Sequence, residues 1–216
     1  ALLDRALPTR VRAAAAIAAG ASAVAGGLDD ALGSSAARGF RGHLAALRAG
    51  EVTTGAAKIA VIGAAGAVAG CLVARDGVGR RLAGGAVVAL SANLANLLDL
   101  RPGRALKSAL AVGLPLAASS ESIAARRIAA LSLGAAAGLL PVDLRERTML
   151  GDAGANCLGA VLGVAAITDA PGRRVGLVLA GLAGLTAASE FVSFSSVIEK
   201  SAVLRAVDRF GRCERG

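Results

Sequence analysis

The stretch Met149-Leu150-Gly151-Asp152-Ala153-Gly154-Ala155-Asn156 sets one carboxylate between two glycines at the mouth of an apolar run that continues to Ile167. Six other apolar runs of comparable length surround it, and seven such runs in 216 residues leave few polar faces for water. With 55% hydrophobic residues, a net charge of +9 and a mean hydropathy of +0.65, the chain reads as an integral membrane protein. The fold expected is all-α, a polytopic membrane bundle of about seven transmembrane helices forming a single integral domain over residues 1–216. The apolar residues are mostly Ala, Gly, Leu and Val, and there is no Trp or Tyr to mark the interfaces. Charge must therefore locate the helix ends. The small residues suit close helix packing in lipid, and an Ala/Gly-rich coding bias would give the same composition.

Outward from residues 149–156, the sixth span is expected over Ala153–Ile167 and, after a Pro-Gly-Arg-Arg turn, the seventh over Val175–Ala188. Before it come a polar segment from Asp143, a fifth span over Ile128–Val142 and the charged loop SSESIAARR. A fourth span covers Ala105–Ala118, and a third begins near Leu82 and ends at Asp99. The second is Thr53–Ala74, and the first begins at Val11 or Ala13 and ends at Leu28. Residues 31–52 carry Phe40, Leu44 and Leu47 at helical spacing and read as a short interfacial helix. The tail, 189–216, is polar and is expected to form a cytoplasmic amphipathic segment.

The basic residues stand singly between apolar runs without interleaved aromatics, which disfavours nucleic acid as a partner. Their distribution sets the orientation. Arg38, Arg41, Arg48, Lys58, Arg101, Arg104, Lys107, Arg145, Arg147 and five tail residues make fourteen on one side. Arg75, Arg80, Arg81, Arg126, Arg127, Arg173 and Arg174 make seven on the other. The first side is cytoplasmic by the positive-inside rule. Cys71, Cys157 and Cys213 lack metal or redox spacing and read as small packing residues. The chain opens at Ala1 rather than Met, so an N-terminally incomplete sequence is expected.

The same alternation puts Asp29, Asp30, Asp99 and Asp152 on the cytoplasmic face at membrane level. Acids favour helix ends in any case, which accounts for Asp143 and Glu121. It accounts less well for Asn93, Asn96 and Asp99, whose spacing of three aligns polar groups on one face of an apolar helix. Carboxylates from separate helices suit a hard cation such as Mg²⁺, which also binds phosphates. Asp152 alone could instead cap its helix. Lys58, in Thr53-Thr54-Gly55-Ala56-Ala57-Lys58, lies about a turn inside a span, where a charge needs a partner.

Gly26-Gly27-Leu28-Asp29-Asp30, Asn93-Leu94-Ala95-Asn96-Leu97-Leu98-Asp99 and Leu150-Gly151-Asp152-Ala153-Gly154 resemble, in order, three signatures of the polyprenyl-phosphate N-acetylhexosamine-1-phosphate transferases. That family includes phospho-N-acetylmuramoyl-pentapeptide transferase. The resemblance covers nearly the whole chain and implies that one or more of the family's N-terminal helices are missing here. It implies transfer of a sugar 1-phosphate from a UDP-sugar to polyprenyl phosphate, with Mg²⁺ and release of UMP, at the cytoplasmic side of the cell membrane in envelope polysaccharide synthesis. On that resemblance Asp152 and Asp99 are metal ligands and Asp29 and Asp30 lie near the lipid phosphate. Asn93, Asn96 and Asp99 match the polar helix end beside the nucleotide, Asp29, Asp30, Asp99 and Asp152 form the catalytic set, and a homodimer is allowed. Lys58, Arg101 and Arg104 are the basic side chains available to bind substrate phosphates; the alternatives are that Arg101 and Arg104 merely flank a membrane helix and that Lys58 snorkels. The chain departs from the family in having Leu100-Arg101-Pro102-Gly103 where a second Asp-Gly usually follows. It has one histidine, His43, in a different loop from the family's histidine-rich motif. The alternative class is a non-catalytic relative that binds a polyprenyl carrier or a protein partner. A transporter is the weaker third, since the chain shows no internal repeat.

Overall fold

In the computed structural model, residues 6–32, 39–74 and 77–212 are described, and all regular elements among them are helices. In chain order they are α1 (Thr9–Leu32), α2 (Gly39–Arg48), α3 (Thr54–Val73), α4 (Val78–Leu98), α5 (Arg104–Ser119), α6 (Ile123–Asp143), α7 (Gly151–Ile167), α8 (Gly172–Ser189), α9 (Phe194–Lys200) and α10 (Ala202–Arg209). Each of the seven expected apolar runs is a helix. Four of them, α1, α3, α4 and α6, are long and apolar enough to cross a membrane. A fifth span is possible if α8 and α9, bent by 92° at their junction, count as one. The expectation of seven spans is thus met only in part: α5 has 16 residues and α7 has 17, about 24–26 Å at ~1.5 Å per residue against a hydrocarbon core of ~30 Å.

Local chemistry sets several boundaries. Thr53 is extended and its hydroxyl accepts from the Ala56 amide at 3.1 Å, which starts α3. Ser122 does the same for α6 through the Ala125 amide at 3.2 Å. The expected loop SSESIAARR is therefore shorter than its charges suggest, because Ile123 to Arg127 are already helical. The expected amphipathic stretch Val197–Arg209 is broken at Ser201, which is extended, ends α9 and caps α10. Arg38, Arg75 and Cys213 lie outside the described residues, as do the side chains of Phe40, Arg41, His43 and Leu44.

The interior holds many small side chains beside larger ones such as Leu106, Ile128, Val87 and Val164, and many large apolar side chains are left outside. Ala14, Ala18, Ala69, Ala92, Ala129 and Ala160 are fully buried, while Val24, Leu82, Leu114, Ile123 and Leu177 are exposed. Small side chains inside let backbones come close, and large apolar ones outside suit a solvent that is itself apolar. Gly159 lies against the Ser91 carbonyl, where an added Cβ would also stand 2.8 Å from Ala92 Cα. Gly26 similarly brings α1 onto the Asp152 carbonyl in the first turn of α7.

The helices alternate in direction. One end of the bundle joins Arg10 to Asp169 at 3.6 Å, Ser122 to Asp169 at 2.8 Å, and Arg80 to the Ala170 carbonyl. Arg10 was not in the charge count for that end, so the basic asymmetry between the two ends is smaller than the sequence count of fourteen to seven.

A bulkier residue at the α4–α7 contact should therefore be costly. We expect Gly159→Val to lower stability by about 1–3 kcal/mol, the usual cost of overpacking. Gly20→Ala, inside α1 with nothing within 4 Å of the added Cβ, should not lower it and should raise it by up to about 1 kcal/mol. Thermal unfolding in detergent followed by helical circular dichroism distinguishes the two.

Candidate functional site

The opposite end of the bundle collects the C-terminal ends of α1, α4 and α6 and the N-terminal ends of α3, α5 and α7. Lys58, the fifth residue of α3, donates from Nζ to Asp29 Oδ2 at 2.5 Å and also to Asp152 Oδ2. The three side chains are 13%, 17% and 28% exposed. An ammonium inside an apolar helix needs partners, and α1 and α7 each supply one. The close approach at Gly26 makes this possible, since it sets the last turn of α1 against the first turn of α7. Asp152 is thus an ion-pair partner rather than a helix cap, and the N-cap of α7 has no side-chain hydrogen bond.

Asp30 sits across the start of α7. Its Oδ2 accepts from the Ala153 amide at 3.4 Å. Gly151 has φ +63, and a Cβ there would stand 2.9 Å from the same oxygen. Glycine is needed here both for the backbone angle and for the carboxylate. A helix N-terminus attracts anions, and this one faces an anion of its own chain. Asn156, buried in α7, holds the same turn by donating from Nδ2 to the Asp152 carbonyl at 2.7 Å.

Asp99 is the C-cap of α4, one residue past Leu98, with φ −79 and ψ 36. It is buried, and burial pushes its pKa up to about 7, helped by the charges of Asp143, Asp152 and Asp30 and opposed by the Gly151 amide. Asp143 is a correction to the sequence reading, which gave it no more than a loop acid's place. It is the last residue of α6, only 3% exposed, and accepts from the Gly103 amide at 2.7 Å. Asp99 and Asp143 each keep one buried oxygen without a hydrogen-bond partner among the described residues.

Asn93 and Asn96 are half-buried on α4. The antiparallel α3–α4 contact sets Gly70 against Gly85 and Gly66 against Ala89. Continued turn by turn, that register brings Asn96 level with Lys58. Arg101 and Arg104 go elsewhere. Arg101 pairs with Glu199 at 3.4 Å. Arg104, 4% exposed, donates from Nε and Nη2 to the two oxygens of Asp208 at 2.8 and 3.3 Å, and from Nη1 to Ser195 Oγ at 2.9 Å. Arg212 joins Asp208 at 2.7 Å. Burial alone would raise the Asp208 pKa, but Arg104, Arg212 and Lys107 outweigh it and hold the carboxyl below its ordinary value. Both expected substrate-binding arginines are therefore bound to the C-terminal segment.

Mg²⁺ takes near-octahedral oxygen ligands, commonly one or two carboxylates with phosphate oxygens and water. Asp29 and Asp152 converge on one point and are donors of that type, so these residues fit the ion in chemistry, with Lys58 Nζ standing at that point. The pair joined by Lys58 is Asp29 with Asp152, and the expected partner Asp99 lies near enough to Asp152 to feel its charge. Among the described residues no group of three or more His, Cys, Asp or Glu is arranged to hold a metal, so substrate oxygens would have to complete the shell. No family model matches the chain, and no curated protein or solved structure is similar to it.

Two outcomes follow from these charges. Lys58→Met, which leaves Asp29 and Asp152 facing each other, should cost about 1–3 kcal/mol, less than the about 3–5 kcal/mol of a fully buried pair because all three groups are partly wet. Lys58→Met combined with Asp152→Asn should recover part of that loss in denaturant unfolding. Asp99 has a folded pKa of about 7 against an ordinary 3.8, so between those values the folded state holds a proton that the unfolded state lacks. Stability should fall as pH rises from about 4 to about 7 and then level off. Asp99→Asn should remove that slope in melting curves taken across the range.

Proposed function

We propose that this chain transfers a sugar 1-phosphate from a UDP-sugar to polyprenyl phosphate, releasing UMP, at the end of the bundle where Asp29, Asp30, Lys58, Asp99 and Asp152 lie. The observation that supports this best is the single ammonium of Lys58 shared by Asp29 and Asp152, which joins the first and third of the three sequence signatures. On this reading the bundle has seven spans, with α5 and α7 in locally thinned or tilted settings. The site faces the cytoplasm of the cell membrane.

In the reaction an oxygen of the lipid phosphate attacks the β-phosphorus of the UDP-sugar. The bond from that phosphorus to the α–β bridging oxygen breaks, and its electron pair leaves with UMP. Asp29 and Asp152 would hold Mg²⁺, which would offset the charge of the diphosphate. The lipid phosphate is already largely ionised at neutral pH, so no aspartate needs to remove a proton. What the chain contributes is position and field. Lys58 turns from the carboxylates to a phosphate oxygen, and Asn96, level with it, offers an amide to the nucleotide side. An apolar groove of about 450 Å³ between α4, α5, α7 and α8 suits part of the polyprenyl chain. It starts at Leu98, beside Asp99, and passes Val112, Leu162 and Val178 towards Ser119.

The non-catalytic reading is favoured by one observation, the engagement of Arg101 and Arg104 by the C-terminal segment, which removes two cations from the phosphate site. UMP release from a panel of UDP-sugars, with polyprenyl phosphate and Mg²⁺ in nanodiscs, separates the two. We expect turnover with at least one sugar, dependence on Mg²⁺, and a loss of about 10²-fold or more in Asp152→Asn without loss of the fold. Silence across the panel, with lipid binding retained, would leave the carrier-binding role.

A further inference from the structure

The C-terminal helix α10 has two opposed faces, and only one of them is used. Asp208 turns inward to Arg104 and Arg212, and the Lys107 ammonium donates to the Val207 and Asp208 carbonyls at 3.0 and 2.7 Å. These bonds fasten α10 to the first turn of α5. On the other side Val203, Val207 and Phe210 are 71%, 57% and 79% exposed. At 100° per residue they form one stripe with Ala206. A soluble surface rarely carries such a stripe on an eight-residue helix without a partner.

Three features of the structure specify what covers it. The 92° bend between α8 and α9 lays α9 across the end of the bundle, parallel to a membrane that α8 would cross, and α10 packs on α9. One edge of the apolar face also lies beside the first turns of α5: Leu204 and Val207 line a small cleft with Lys107 and Ser108. Finally, Arg205 and Arg209 lie on the polar face of α10 opposite the stripe and are exposed; Arg205 donates to the Glu199 carbonyl at 2.9 Å, and the Arg209 side chain has no hydrogen bond or ion pair among the described residues. An apolar stripe backed by an arginine-bearing polar face, at the end of a bundle of apolar helices, is the pattern of a helix lying in the headgroup layer of an anionic leaflet.

We propose that α10 is a membrane-surface helix, its Val203–Phe210 stripe set into the acyl boundary and the unpaired Arg209 on its polar face reaching anionic lipid headgroups, with the Arg104–Asp208 bond fixing it to the bundle. The partner is the lipid surface itself. This proposal does not depend on the transferase reading.

The test uses the full chain with Cys71, Cys157 and Cys213 replaced by Ala and an environment-sensitive fluorophore on Val203→Cys. The protein is placed in nanodiscs of phosphatidylcholine alone or with about one-third phosphatidylglycerol. We expect a blue-shifted emission and quenching by acyl-chain nitroxides in the anionic discs. Both should be reduced at least twofold in neutral discs or after Arg209→Glu, with a probe on α4 unchanged as the control for folding. Emission typical of water and quenched by aqueous iodide in both discs would overturn the proposal. So would a blue shift that ignores lipid charge, or one that disappears when discs hold a single copy, which would assign the stripe to a second molecule of this chain.

Discussion

A charge inside an apolar bundle has to meet its opposite, and the placement of Lys58 governs much of what surrounds it. Its ammonium is held by Asp29 from α1 and Asp152 from α7, so three helices that are distant in sequence are fixed at one end by one group. Asp30 reinforces the same junction by accepting from the Ala153 amide. The cost of desolvating these charges is offset only while all of them stay together. The arrangement therefore specifies a geometry more than it adds stability. That geometry, two carboxylates aimed at one cationic point beside a helix N-terminus, is one that a metal ion and a diphosphate could also occupy.

The ion pair can form only because the helices approach closely. Gly26 against the Asp152 carbonyl and Gly159 against the Ser91 carbonyl leave no room for a Cβ, and the alanine-rich interior extends the same contact along the bundle. In lipid the large apolar side chains gain little by turning inward, so dispersion between closely packed backbones takes over the work of a core. A composition that could have been mere coding bias thus acquires a mechanical role at specific glycines.

The C-terminal segment adds a second charge network beside the first. Arg104 is buried by Asp208 and Ser195, and Arg101 reaches Glu199, so the cations nearest to Asp99 are directed at α9 and α10. Burial, and then the charge of nearby Asp143, raise the Asp99 pKa to about 7. Any phosphate bound here would meet Lys58 first, with the arginines available only on release of the tail.

The sequence by itself determined the helices and which of their ends carry charge, because apolar periodicity and isolated polar residues act locally. Every expected apolar run became a helix, and Asp29, Asp30, Lys58, Asp99 and Asp152 were identified from their positions at or near run ends. Only the tertiary structure decided which of these groups meet. The pairing of Asp29 with Asp152 through Lys58 depends on the α1–α7 contact at Gly26, and a glycine in an apolar run gives no sign of which helix it will touch. Asp143 looked like a loop acid because nothing local shows that α6 continues through Pro141 to bury it against Gly103. Arg101 and Arg104 looked like phosphate ligands because their partners lie about a hundred residues further along the chain, and pairings at that range are set by packing.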